Sequence, residues 1–190
     1  MRPLEKKILS DFGIEKFIVC TDAGLSSTPN RIFNNTANRR FVTAQSIKKL
    51  KGFLKDFSLA DEGWHLVGSR KTYKLSELDE QDYYDKTFYK DRWIKEDGIE
   101  QHLVVTFSFK YRDYQRKVRN RQLERAAKLA NNPSALNRSR QNDPKRFVRQ
   151  DHCTSDGEVA DRMIVSIDEG MVREEEQYDG FYAVCTNLLR

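Results

Sequence analysis

Apolar positions recur at helical spacing from Leu4 through Ile8, Leu9 and Phe12, with Pro3 suited to a first helical turn and Gly13 to a C-terminal cap, which predicts a short amphipathic helix. The run Phe17-Ile18-Val19-Cys20 that follows is continuous rather than alternating, so it predicts a strand covered on both faces, stopped at Thr21-Asp22-Ala23-Gly24. Thr28-Pro29 reads as a helix start and Phe41-Val42-Thr43 as a second strand. From Ser46, the positions Ile47, Leu50, Phe53, Leu54 and Phe57 fall on one helical face. Beyond Asp61 the chain turns aromatic and polar, and Asp97-Gly98 separates two strand-like runs, the second alternating Leu103, Val105, Phe107, Phe109 against Val104, Thr106, Ser108. A helix is predicted from Tyr111 to about Asn131, broken by Pro133 and the polar stretch to Pro144. Two more strands are predicted at Met163–Ile167 and Phe181–Cys185, with an acidic stretch from Val172 to Tyr178 between them.

A length of 190 residues allows one ordinary domain or two small ones. With 38% hydrophobic and 33% charged residues, no apolar run is long enough to cross a bilayer, so no membrane partner is expected. The N-terminal residues carry no secretory signal pattern, and Cys20, Cys153 and Cys185 have neither metal nor disulfide-framework spacing, which reads as a reduced, cytoplasmic protein. The net charge of +5 is unevenly placed. Between Lys110 and Arg149 thirteen basic residues face only Asp113, Glu124 and Asp143, so this segment carries +10 and the remainder −5. Such asymmetry points to a polyanion partner.

Two features are candidates for chemistry. Asp22 directly follows the first predicted strand, where a carboxylate can face solvent at the end of a sheet and hold a divalent cation; an Asp-x-Gly that only caps a turn is the bland reading of the same residues. The predicted basic helix offers Arg112, Arg116, Lys117, Arg119, Arg121 and Arg125 to DNA phosphates, or equally a solvated arginine-rich face. Tyr111 and Tyr114 could stack on a base, but their helical spacing predicts that they face the core. His65, His102 and His152 are scattered, the acidic residues Glu77 to Asp85 lack calcium-loop spacing, and no phosphate loop or serine elbow is present.

The segments Phe17 to Leu25, Asn30-Arg31, Phe41-Val42-Thr43-Ala44-Gln45 and Asp179-Gly180-Phe181-Tyr182-Ala183-Val184-Cys185-Thr186-Asn187 resemble bacterial insertion-sequence transposases of the DDE type, close to insertion-sequence family four and its branch with a long insertion. The resemblance implies an RNase H-like core in which three carboxylates hold two Mg2+ ions for phosphodiester cleavage and strand transfer on transposon-end DNA, in a synaptic oligomer. It places the second carboxylate at Asp22 and leaves the first Asp and the final Glu without a counterpart in this sequence. Tyr89, Arg92 and Glu96 match the first three members of that family's Tyr-Arg-Glu-Lys signature, but position 103 is Leu and Glu96 adjoins a predicted hairpin turn, so the match is read as accidental.

The expected fold class is therefore α/β: an incomplete RNase H-like core, with a mixed sheet and flanking helices, carrying a large α+β insertion. The core is expected over 1–58, the insertion over 59–177 and a returning strand over 178–190. An incomplete core would leave unpaired strand edges and marginal stability. The function implied is that of a transposase fragment inactive alone; the rival is a noncatalytic DNA-binding or dimerising module that interferes with a full-length transposase.

Overall fold

A computed structural model describes residues 2–13, 16–36, 38–130, 144–153 and 162–188. In chain order the elements are α1 (Arg2–Phe12), β1 (Phe17–Thr21), α2 (Thr28–Phe33), β2 (Arg39–Ala44), α3 (Gly52–Leu59), β3 (Trp64–Leu66), β4 (Thr72–Tyr73), α4 (Glu80–Tyr83), β5 (Phe88–Glu96), β6 (Ile99–Phe107), α5 (Phe109–Ala130), β7 (Val148–Cys153), β8 (Arg162–Ile167), α6 (Glu169–Glu176) and β9 (Phe181–Thr186). They form two compact units, residues 1–109 with 181–190 and residues 110–180. The fold is mixed α/β. Among the described residues no helix is long and apolar enough to cross a membrane.

The first unit is built on a seven-stranded mixed sheet in the order β1-β2-β9-β6-β5-β3-β4. β1 and β2 are parallel, joined through α2, whereas β9 lies antiparallel to both β2 and β6. The β5–β6 hairpin forms because Asp97 and Gly98 adopt φ of 52° and 76°, the paired positive values of a type I′ turn, with Glu96 facing Ile99 across it. Alternation then sends Phe88, Lys90 and Ile94 of β5 and Leu103, Val105 and Phe107 of β6 to one buried face, where Leu54 of α3 and Trp64 of β3 complete the core. Trp64 sits 6.2 Å from the Phe107 ring and 5.8 Å from that of Phe181. The expected boundary near residue 58 is not a structural one, because β3 to β6 hydrogen-bond into the same sheet as β1, β2 and β9.

The predicted helix at Ser46 starts later than its apolar spacing suggests. Ile47–Lys49 is a 3₁₀ turn, Leu50 and Lys51 are extended, and the α-helix begins only at Gly52, leaving Phe53 exposed. β1 also differs from expectation: only Val19 is buried, while Ile18 and Cys20 are exposed, so this strand is covered on one face.

In the second unit, Ala126 of α5, Phe147 and Val172 of α6 form a small core flanked by Leu123, Val148, Ile167 and Met171. The acidic stretch is helical because Asp168 caps it, its carboxylate accepting the Met171 N–H at 3.0 Å. The polar run at 131–143 lies outside the described residues.

Candidate functional site

Asp22 stands one residue past the end of β1, exposed, with extended backbone (φ −74°, ψ 175°). Its Oδ1 accepts the Leu25 N–H at 3.2 Å and caps a 3₁₀ turn over Ala23–Leu25. Gly24 keeps this turn tight, since a Cβ there would lie 3.3 Å from the same oxygen. The carboxylate thus sits at the carboxyl end of a parallel strand pair, the end of an α/β sheet where ligands bind. A cavity of about 10 Å³, too small for a substrate, is lined by Thr21, Leu25, Arg31, Asn34 and Thr43, and Asp22 is not among its lining residues.

The ground beneath this end is a polar lattice. Arg31 of α2 donates to Gln101 Oε1 at 3.1 Å, to Gln45 Oε1 at 2.5 Å and to the Ser26 carbonyl at 3.0 Å, tying the loop after β1 to the ends of β2 and β6. Thr28 donates to Asp97 at 2.9 Å, and Lys51 pairs with Glu96 at 3.3 Å. Beside Gln45, burial raises the Cys185 thiol to about 11, which makes it an inert packing group. At the other end of β2, Asn187 accepts the Phe41 N–H at 2.8 Å and donates to Asn35 at 2.8 Å, while Thr186 donates to the Phe41 carbonyl at 2.6 Å. The Asn30-Arg31, Gln45 and Thr186-Asn187 residues singled out in the sequence are therefore a scaffold: they lock α2, β2 and β9 together around the strand that presents Asp22.

A lone exposed carboxylate is not a magnesium site, since that ion takes octahedral oxygen ligation and a two-ion centre needs several carboxylates. Among the described residues no group of three His, Cys, Asp or Glu side chains is placed to hold a metal. Asp22 offers one ligand, and the residues present do not fit the two-ion centre by themselves. Glu96 does not supply a second. Tyr89, Arg92 and Glu96 lie along β5, with Glu96 at its end before the hairpin turn and paired to Lys51, so they cannot project together from one helix. No protein-family model matches the chain, and no curated protein or solved structure does either.

The basic helix α5 divides its six candidates. Arg119 is only 6% exposed, and its guanidinium makes a two-pronged contact with Asp179, at 2.6 Å and 2.7 Å, with Glu176 at 3.4 Å. The Asp179 hydrogen bonds hold its pKa above the ordinary arginine value. This is an internal clamp between α5 and the turn after α6, unavailable to phosphate as it stands. Arg116 is exposed and reaches Asp179 at 3.5 Å, and Arg112 contacts its neighbour Asp113 at 3.2 Å. Lys117, Arg121 and Arg125 are exposed, with Lys128 continuing the line. From 117 to 128 the helix rises about 17 Å, which spans roughly five phosphates of one strand at 3.4 Å per nucleotide. Tyr114, expected to face the core, is 61% exposed and stacks on Tyr111 at 6.1 Å.

Sequence reasoning passed over Lys90 altogether. It is 3% exposed on the core face of β5, donating to the Ala60 carbonyl at 2.7 Å, with its ammonium 4.3 Å from the Trp64 ring and 5.1 Å from that of Phe57. Burial lowers its pKa to about 8 against a smaller opposing pull from Asp61. The signal was available in the alternation, which puts position 90 on the same face as Phe88.

Proposed function

We propose that this chain is part of a DDE transposase with an RNase H-like core, in which Asp22 contributes one carboxylate to a metal centre completed by acidic residues from elsewhere, and α5 contacts the DNA backbone. The observation that carries this reading is the position of Asp22: an exposed carboxylate at the carboxyl end of an edge strand in a parallel pair, presented by a rigid polar scaffold. Such an edge lets a further strand bring a second carboxylate alongside. Magnesium would supply activation of the attacking oxygen and stabilisation of the leaving one; the residues here position the carboxylate and bind DNA.

The deciding experiment is translation, in all frames, of the DNA flanking this reading frame. An upstream segment with an Asp-bearing strand and a downstream helix with the Tyr-Arg-Glu-Lys spacing support the reading, and finding neither overturns it. The purified chain should leave DNA uncut in Mg2+. Cleavage abolished by Asp22→Asn would refute the requirement for outside carboxylates.

The exposed line Lys117, Arg121, Arg125 favours a second reading, a noncatalytic DNA-binding module able to interfere with an intact enzyme, because that surface owes nothing to Asp22. Full DNA affinity in Asp22→Ala agrees with both readings; the flanking sequence separates them.

A further inference from the structure

The outer edge of β1 is built to pair with another strand. Phe17 donates to the Asn38 carbonyl at 3.0 Å, and in a parallel ladder this directs the backbone groups of residues 17, 19 and 21 toward β2. The N–H and C=O groups of Ile18 and Cys20 consequently point away from the sheet, and among the described residues no strand lies on that side. Native edges are commonly guarded by a charge, a proline or a bulge within the strand. Phe-Ile-Val-Cys-Thr has none, and Ile18 is 53% exposed. The charges sit instead at the two ends: exposed Lys16 just before the strand and exposed Asp22 just after it.

That arrangement is self-complementary. We propose that β1 pairs antiparallel with β1 of a second copy of this chain about a two-fold axis at Val19. Ile18 of each copy then faces Cys20 of the other, both with outward backbone groups, so two hydrogen-bonded pairs form on either side of the Val19–Val19 pair. The same register sets Lys16 of each copy opposite Asp22 of the other, closing both ends of the seam with opposite charges. Asp22 spends Oδ1 on the Leu25 N–H and presents Oδ2 to that lysine. A five-residue seam is far smaller than a standard interface, so the dimer is weak and concentration-dependent. The inference does not rest on the transposase reading, since it involves neither metal nor DNA, and it gives to a second copy the same edge of β1 that the transposase reading gives to a carboxylate-bearing strand.

Sedimentation equilibrium of the wild-type chain from micromolar to about millimolar concentration should show a monomer–dimer equilibrium. Lys16→Glu and Asp22→Lys each turn two attractive end contacts into repulsive ones and should weaken the dimer about tenfold or more. An equimolar mixture of the two variants restores opposite charges at both ends of a mixed dimer, and association should return. In the wild type, amide exchange at Ile18 and Cys20 should slow as concentration rises while that of Val19, already bonded to β2, should not change. A wild-type monomer throughout the range, variants that associate like wild type, a mixture without rescue, or exchange at Ile18 and Cys20 independent of concentration would each overturn the proposal. The exchange readout needs no variant.

Discussion

Lys90 is a buried cation whose cost can be worked out from its surroundings. Lowering its pKa from 10.5 to about 8 corresponds to roughly 3 kcal/mol against the charged form, at 1.36 kcal/mol per unit. The Trp64 and Phe57 rings oppose this, because a desolvated ammonium over an aromatic face gains up to about 2 kcal/mol. Lys90→Met keeps the volume and removes the charge, and the Ala60 carbonyl retains its bond from Trp64 Nε1 at 2.9 Å. The variant should therefore be more stable than wild type at pH 7 by about 1–2 kcal/mol, or roughly 2–8 °C in Tm for a chain of this size. The pH dependence has a fixed sign. Below about 8 the lysine is charged in folded and unfolded chains alike, and the folded state bears the full penalty. From about 8 to 10.5 the unfolded chain holds the proton more tightly, so wild-type stability gains on the variant as pH rises, and above 10.5 the difference levels off. Urea denaturation of both proteins at pH 7, 9 and 10.5 measures the difference profile, in which the other titrating groups cancel. A variant destabilised by more than about 1 kcal/mol at pH 7, or a gap that does not change with pH, would refute the account and make Lys90 a net stabilising group.

The arginines of α5 should separate by burial. Arg119→Ala, which removes the two-pronged contact from buried Asp179 and leaves it Arg116 at 3.5 Å, should cost about 3 kcal/mol in denaturation, whereas Arg121→Ala should stay within about 0.5 kcal/mol; equal effects would show that the clamp is not a structural device. Fluorescence anisotropy with a DNA duplex at increasing salt should give a slope that flattens by about 0.9 for each of Lys117, Arg121 and Arg125 that touches a phosphate, and slopes unchanged in the triple alanine variant would exclude this face. In native conditions a thiol reagent should label Cys20 rapidly and Cys185 only on unfolding, because the Cys185 thiol is buried with its pKa raised to about 11; mass spectrometry of the labelled peptides decides. Gly98→Val forces a β-branched residue to φ of 76° and should destabilise the β5–β6 hairpin by about 1–3 kcal/mol, read from thermal melting.

The elements that could be read from sequence are those governed by local stereochemistry. The β5–β6 hairpin follows from Asp97-Gly98, among the described residues the one place with two successive positive φ values, and α1 stops before Gly13, whose φ is 58°. Phe109 continued the strand's alternation on paper but opens α5, because a buried aromatic serves either element equally well. β7 shows no apolar face in Arg149-Gln150-Asp151-His152, and its pairing with β8, from Cys153↔Arg162 to Val148↔Ile167, is recorded by no local pattern. The helical phase of α5 was misread for a related reason: Tyr114 looked like a core position and Arg119 like a surface one. Burying Arg119 depends on Asp179, sixty residues later, and no periodicity within α5 carries that information. Asp22 is legible as a residue at a strand end, and its lack of two acidic companions is expected from the sequence; among the described residues no group of three His, Cys, Asp or Glu side chains is placed to hold a metal.

The edge of β1 also joins the two proposals in a way that makes them mutually constraining. Ile18 and Cys20 offer one set of outward backbone groups, and one set can serve one neighbour. On the transposase reading, the strand that brings a second carboxylate beside Asp22 has to occupy that edge, because a strand anywhere else in the order β1-β2-β9-β6-β5-β3-β4 would be separated from Asp22 by at least the width of β2. A second copy seated there would place a lysine against Asp22 instead of a carboxylate, and a paired, neutralised Asp22 is a poor metal ligand. Self-association and assembly of the metal centre therefore compete for the same backbone. It follows that Lys16→Glu, which disfavours the dimer without altering Asp22, should ease the docking of a carboxylate-bearing strand in trans, and a partner segment that bound wild type and Lys16→Glu with equal affinity at concentrations where the wild type is dimeric would show that the two do not share the edge.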